Sequence, residues 1–142
     1  MRILGAIGLA GAVLLGGCAS TAASQADRRL GLMLAGQSAV QGTQLDAALA
    51  QAGEHHLGSR ENPVRASMPA GERAYLARLR CADGLAPEYV RQGSLGIGPF
   101  GNIVDGYSVT CAGKEMKTVV MDMYHSNFVE DRAVPGFTIA RR

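Results

Sequence analysis

Thr118-Val119-Val120-Met121-Asp122-Met123-Tyr124-His125 is the run from which the architecture unfolds. In an extended chain successive side chains point to opposite faces, which puts Val119, Met121 and Met123 together and Asp122 on the other side. An apolar, partly β-branched alternation of this kind predicts a strand with one face toward a core. Tyr107 to Cys111 repeats the pattern, with Tyr107, Val109 and Cys111 on one face. Turn signals at Asp83-Gly84, Gly96 to Gly101, Asp105-Gly106, Ala112-Gly113-Lys114 and Pro135-Gly136 fall at spacings suited to short strands, so the C-terminal half reads as an antiparallel sheet. Arg73 to Cys81 is rich in helix formers, yet its alternation also groups Tyr75, Ala77, Leu79 and Cys81, and we assign it to strand.

Upstream, the period changes. Leu30, Met33 and Leu34, and then Leu45, Ala48, Leu49 and Ala52, are spaced for one helical face, each set preceded by a Ser/Thr-x-x-Asp box at Ser24 to Asp27 and Thr43 to Asp46. Gly36 and Gly53 stand where the two helices are expected to stop. Glu54 to Pro69 carries too many breakers for a long element and reads as a connector, with a short extended piece at Val64 to Ser67. The expected class is α+β: one or two N-terminal helices packed on a small antiparallel sheet.

The first residues have a different character. Arg2 is followed by Ile3 to Leu15, an uncharged run of Ile, Leu, Val, Ala and Gly that is too short for the roughly 20 apolar residues of a spanning helix. Small residues Gly16 and Gly17 then lead to Cys18. This is the layout of an export signal. Leu15-Gly16-Gly17-Cys18 resembles the lipobox of bacterial lipoproteins position by position, over residues 1 to 18. The resemblance implies cleavage after residue 17, a diacylglyceryl thioether on Cys18, and acylation of the new amino group, an anchor in which two or three chains hold where one is marginal. In that family Asp after the cysteine retains the protein in the inner membrane. Ala19 stands there, which implies the outer membrane, facing the periplasm.

Divided on that basis, the chain has a signal peptide at 1–17, a lipidated cysteine with a small polar tether at 18–25, and one globular domain at 26–142. Of 142 residues, removal of 17 leaves 125, enough for one buried core. Without Arg2 the 14 Lys and Arg become 13 against 12 Asp and Glu, and so near-neutral a chain shows no footprint for nucleic acid or an anionic membrane surface. With Cys18 lipidated, Cys81 and Cys111 remain as the only thiols in an oxidising compartment and are expected to pair, a staple of roughly 3 to 4 kcal/mol in the chain-entropy picture.

Catalytic and cofactor motifs are weak. Gly96-Ile97-Gly98-Pro99-Phe100-Gly101 satisfies G-x-G-x-x-G, but the dinucleotide fingerprint must open a helix and the residues after it look extended, so a bent glycine-rich loop is expected. His55 and His56 point apart if extended, as do Asp122 and His125, and converging zinc ligands are not expected. No G-x-S-x-G elbow occurs, and Glu130-Asp131 before Arg132 reads as a solvated charged run. Arg73, Arg78, Arg80 and Arg91 near Tyr75 and Tyr89 read as outer-face charge, and Met116, Met121 and Met123 as core filling. The functional expectation is a lipid-anchored envelope protein without catalytic residues, metal or cofactor. It acts as a binding or structural module for an envelope protein or glycan. The alternatives are a small periplasmic hydrolase or an inhibitor of an envelope-active enzyme.

Overall fold

The computed structural model describes residues 18–141, and the proposed signal peptide therefore lies outside the described residues. Helix α1 spans Cys18–Leu34 and α2 Thr43–Ala52; β1 (Val64–Arg65), α3 (Met68–Arg78) and β2 (Leu79–Arg80) follow. Strands β3 (Glu88–Ile97), β4 (Ile103–Thr110), β5 (Lys117–Asp122) and β6 (Thr138–Ile139) complete the chain. The class is α+β, stapled by a disulfide between Cys81 and Cys111.

Strands β3, β4 and β5 form an antiparallel meander, and β1 adds beside β5 in parallel, giving the order β1-β5-β4-β3. The strand expected at Thr118 to His125 is β5, and Val119 and Met121 face the core as its alternation requires. The extended piece expected near Val64 is β1, continued by a bridge between Ser67 and Tyr124. The glycine-rich stretch closes the β3–β4 hairpin: Gly98 donates to the carbonyl of Asn102, strand β4 follows, and register shifts mark bulges in β3. No helix opens there, which removes the dinucleotide reading.

Arg73 to Arg78, assigned to strand from the sequence, belongs instead to α3. Its buried residues are Glu72, Tyr75 and Leu76, and Leu79 completes the i, i+3, i+4, i+7 stripe just past the helix end. Pro69 sits in the first turn, where its missing N–H costs nothing. Leu76 and Leu79 are fully buried against Val64, Tyr107, Val109, Val119 and Met121, and this layer is the core of the molecule. Tyr75 ties the C-terminal segment down by donating its hydroxyl to the carbonyl of Arg132 at 3.0 Å and accepting from the amide of Val134 at 3.1 Å.

The N-terminal helices differ in detail from expectation. Helix α1 covers Cys18–Leu34, so the segment read as a tether is helical and Ser24 lies inside the helix rather than at its cap. Its stop is as expected: Gly36, at φ 68°, donates to the carbonyl of Met33 while Gln37 donates to that of Leu32, a reversal that favours glycine. Leu30 and Leu34 remain exposed. In α2 the N-cap is Gly42, not Thr43, and no side chain caps the first turn. The helix laid over the core is thus α3.

Candidate binding cleft

Strand β5 ends on Asp122, fully buried on the sheet face opposite α3. Both carboxylate oxygens accept from Asn102 Nδ2, at 3.1 and 2.9 Å, and Oδ1 also accepts from the amide of Tyr124 at 3.0 Å. Asn102, just before β4, takes the amide of Ala39 on its Oδ1 at 2.7 Å and reaches Ser38 Oγ with its Nδ2 at 3.3 Å; Ser38 Oγ donates onward to the carbonyl of Phe100. The connector between α1 and α2 is therefore held to the sheet by hydrogen bonds where an apolar contact would be expected. A buried carboxylate with three donor contacts has its charge compensated locally.

The turn made by Tyr124 folds the chain back, and His125 returns to the face of Asp122. Its Nε2 lies 3.4 Å from Asp122 Oδ2, off the hydrogen-bond direction and with no other partner. The ring packs edge-on to Phe100 at 5.1 Å and 88°. The expectation that Asp122 and His125 point to opposite faces is thus corrected: it presumed an extended chain through residue 125, and the strand stops at 122. His55 and His56 are exposed in the connector, away from this pair, and among the described residues no group of three or more His, Cys, Asp or Glu side chains is arranged to hold a metal.

Outside this pair opens a cleft of about 430 Å³, bounded by the α1–α2 connector and start of α2 (Gln37, Ser38, Gln41, Gly42, Leu45), by Arg65 of β1, and by Tyr124 to Phe128. Arg65 and Asp122 are register partners in the sheet, yet the Arg65 guanidinium lies over the Phe128 ring, 3.7 Å from its centroid. Nothing in the sequence pattern singled out Arg65. It sits in a two-residue strand inside what reads as a connector.

A second polar cluster lies under α3. Glu72 is fully buried and its Oε2 accepts from the Tyr107 hydroxyl at 2.9 Å, while Oε1 has no partner. Burial pushes the Glu72 carboxyl up to about 7, the Tyr107 bond partly opposing it. Asp105, also buried, is clamped bidentately by Arg91, Nε to Oδ2 and Nη2 to Oδ1, both 2.8 Å. Glu72 is closed off from solvent, so this cluster serves the fold.

The remaining expected residues scatter. Cys81, after β2, reaches Cys111, after β4, with Cα atoms 5.9 Å apart. The bridge crosses between the β2–β6 ladder and the main sheet. A groove of about 600 Å³ beside it is lined by Phe137, Lys117 and both cysteines. The arginines form no group: Arg78 pairs with Asp131 and the Glu130 carbonyl, Arg80 donates to the carbonyls of Ala77 and Leu79, and Arg73 is exposed. Glu130 is not solvated as expected but buried at 4% exposure, bonded through both oxygens to Arg132. Burial alone would raise its carboxyl, but the bonds from Arg132 prevail and hold it below the ordinary range. Met121 fills the core, whereas Met116 is exposed. Cys18 lies in α1, and its side chain is outside the described ones. No family model, curated protein or solved structure matches this chain.

Proposed function

We propose that this chain is a lipid-anchored protein of the bacterial cell envelope. Residues 1–17 export it, Cys18 carries the acyl anchor at the outer membrane facing the periplasm, and the domain is a non-catalytic binding or structural module for an envelope protein or glycan. The observation that carries this reading is the Cys81–Cys111 bridge, because a paired structural disulfide belongs to an oxidising compartment. The lipobox-like Leu15-Gly16-Gly17-Cys18 supplies the address. Among the described residues no helix is long and apolar enough to cross a membrane. Attachment through Cys18 needs none.

A hydrolase is the second reading, favoured by His125 beside Asp122 at the edge of a cleft. One feature weighs against it: the nearby hydroxyls of Ser38 and Ser126 are each donated to backbone carbonyls, of Phe100 and of Gly36. Metabolic labelling with a fatty acid tests the anchor: the wild-type chain should be labelled and Cys18→Ser should remain an unlabelled precursor. Equal labelling of the two would end the lipoprotein reading. Membrane fractionation tests the sorting separately, with recovery in the inner membrane counting against outer-membrane placement.

A further inference from the structure

The cleft beside β5 contains a cation with no acid of its own. Arg65 is half-buried, and among the described residues no carboxylate hydrogen-bonds or ion-pairs with its guanidinium. Glu130, which acts on it through space, is engaged by Arg132, and Asp122 is engaged by Asn102 and Tyr124. Burial draws the guanidinium below its usual range, the signature of desolvation without full compensation. The guanidinium carbon stands 3.7 Å from the Phe128 ring centroid, and the planar fork of an arginine is suited to bidentate pairing with a carboxylate or phosphate.

The neighbouring walls add donors. Helix α2 starts at the cleft without a side-chain cap, and its first intrahelical amide bond is that of Asp46 to the Gly42 carbonyl, which leaves the amides before it unclaimed by the helix. Gln37 Oε1 accepts from Gln41 Nε2, which leaves Gln37 Nε2 as a donor. Phe128 and Leu45 supply apolar surface. The volume, about 430 Å³, suits a small molecule better than a protein loop.

We propose that this cleft binds a small ligand bearing a carboxylate or phosphate group, with Arg65 as the anchoring cation and Phe128 as the platform beneath it. The inference rests on reading the domain as a binding module and names the chemistry of what is bound. An anion would compensate the half-desolvated guanidinium, which the fold alone leaves unpaired.

The test is an amide-shift titration of the isotope-labelled full chain in detergent micelles, using inorganic phosphate, N-acetylalanine and the uncharged amide of N-acetylalanine. Saturable shifts at Gly42, Leu45 and Arg65 with at least one anion, and none with the amide, are expected; which anion works separates a phosphate source from a carboxylate source. Arg65→Met retains an apolar stem on Phe128 and should weaken anion binding by about tenfold or more, while the melting temperature stays the same or rises. Equal response to the amide, no saturable response to either anion, undiminished binding in Arg65→Met, or a clear fall in its melting temperature would each overturn the proposal. The comparison of anion with amide in the wild-type chain needs no variant to fold. Failure of acylation in the labelling experiment leaves this titration untouched, so the two readings fail separately.

Discussion

Under α3, the sheet face carrying Tyr107, Val109, Val119 and Met121 meets Tyr75, Leu76 and Leu79, and its contacts are apolar except around Glu72 and Asp105. On the opposite face, Asp122 meets Asn102 and His125, and hydrogen bonds from Asn102 to Ser38 and from the Ala39 amide to Asn102 join the sheet to the α1–α2 connector. The difference is one of energy against geometry. Apolar burial is large and non-directional, whereas an exchanged hydrogen bond contributes only about 0.5 to 1.5 kcal/mol net but fixes where its partners stand. One face therefore holds the fold and the other positions a cleft wall.

The largest effect should come from the apolar face. Leu76→Ala leaves a void in a fully buried layer and should lower the unfolding free energy by about 2 to 5 kcal/mol in denaturant titration. Cys81→Ser comes next: the bridge closes a separation of 30 residues, and its loss should cost about 3 kcal/mol. Thiol counting on denatured chain carrying Cys18→Ser should find no free thiol until reductant is added.

Glu72 sharpens the comparison because it is an acid within the apolar layer whose hydrogen-bond partner is the Tyr107 hydroxyl and not a base. The folded chain keeps its proton up to about pH 7, while an unfolded chain releases it near the ordinary 4.5. The contribution to stability is full below 4.5 and is lost as pH rises through about 7, a total on the order of 3 kcal/mol. Stability measured across that window should fall in the wild type and stay flatter in Glu72→Gln. A parallel slope in both would place the titration elsewhere.

On the polar face, Asn102→Ala removes donors from a buried carboxylate and the acceptor of the Ala39 amide, and should cost about 1 to 3 kcal/mol. Its loss should loosen the connector before it loosens the sheet. Denaturant titration gives the size, and proteolysis near residues 35–42 gives the place.

How much of this was legible follows from the same contrast. The sheet was readable because a period of two survives in Val119 and Met121 and in Tyr107 and Val109, and because turn residues mark its hairpins. Helix α3 was not, since its stripe of Glu72, Tyr75, Leu76 and Leu79 includes a carboxyl that looks solvent-facing until it is known to be buried. The disulfide was readable because the lipobox-like motif sets Cys18 apart in the sequence and leaves Cys81 and Cys111 to pair. The cleft was hidden: Asp122 and His125 converge through a turn whose trigger is Asp122 accepting the Tyr124 amide, and Arg65 becomes notable only when Phe128 is seen under it. Short-range periodicity reports burial, and polar sites made by chain reversal carry no period.

Native-state hydrogen exchange tests the division between the two faces most directly. Amides of β4 and β5 around Val109, Val119 and Met121 should exchange only through global unfolding. The Ala39 amide, held by Asn102 alone, should exchange through local opening about a hundredfold faster or more, with little dependence on denaturant. Protection of Ala39 equal to that of β5, falling with the same denaturant slope, would mean that the connector is part of the core unit and that the two faces are not distinct.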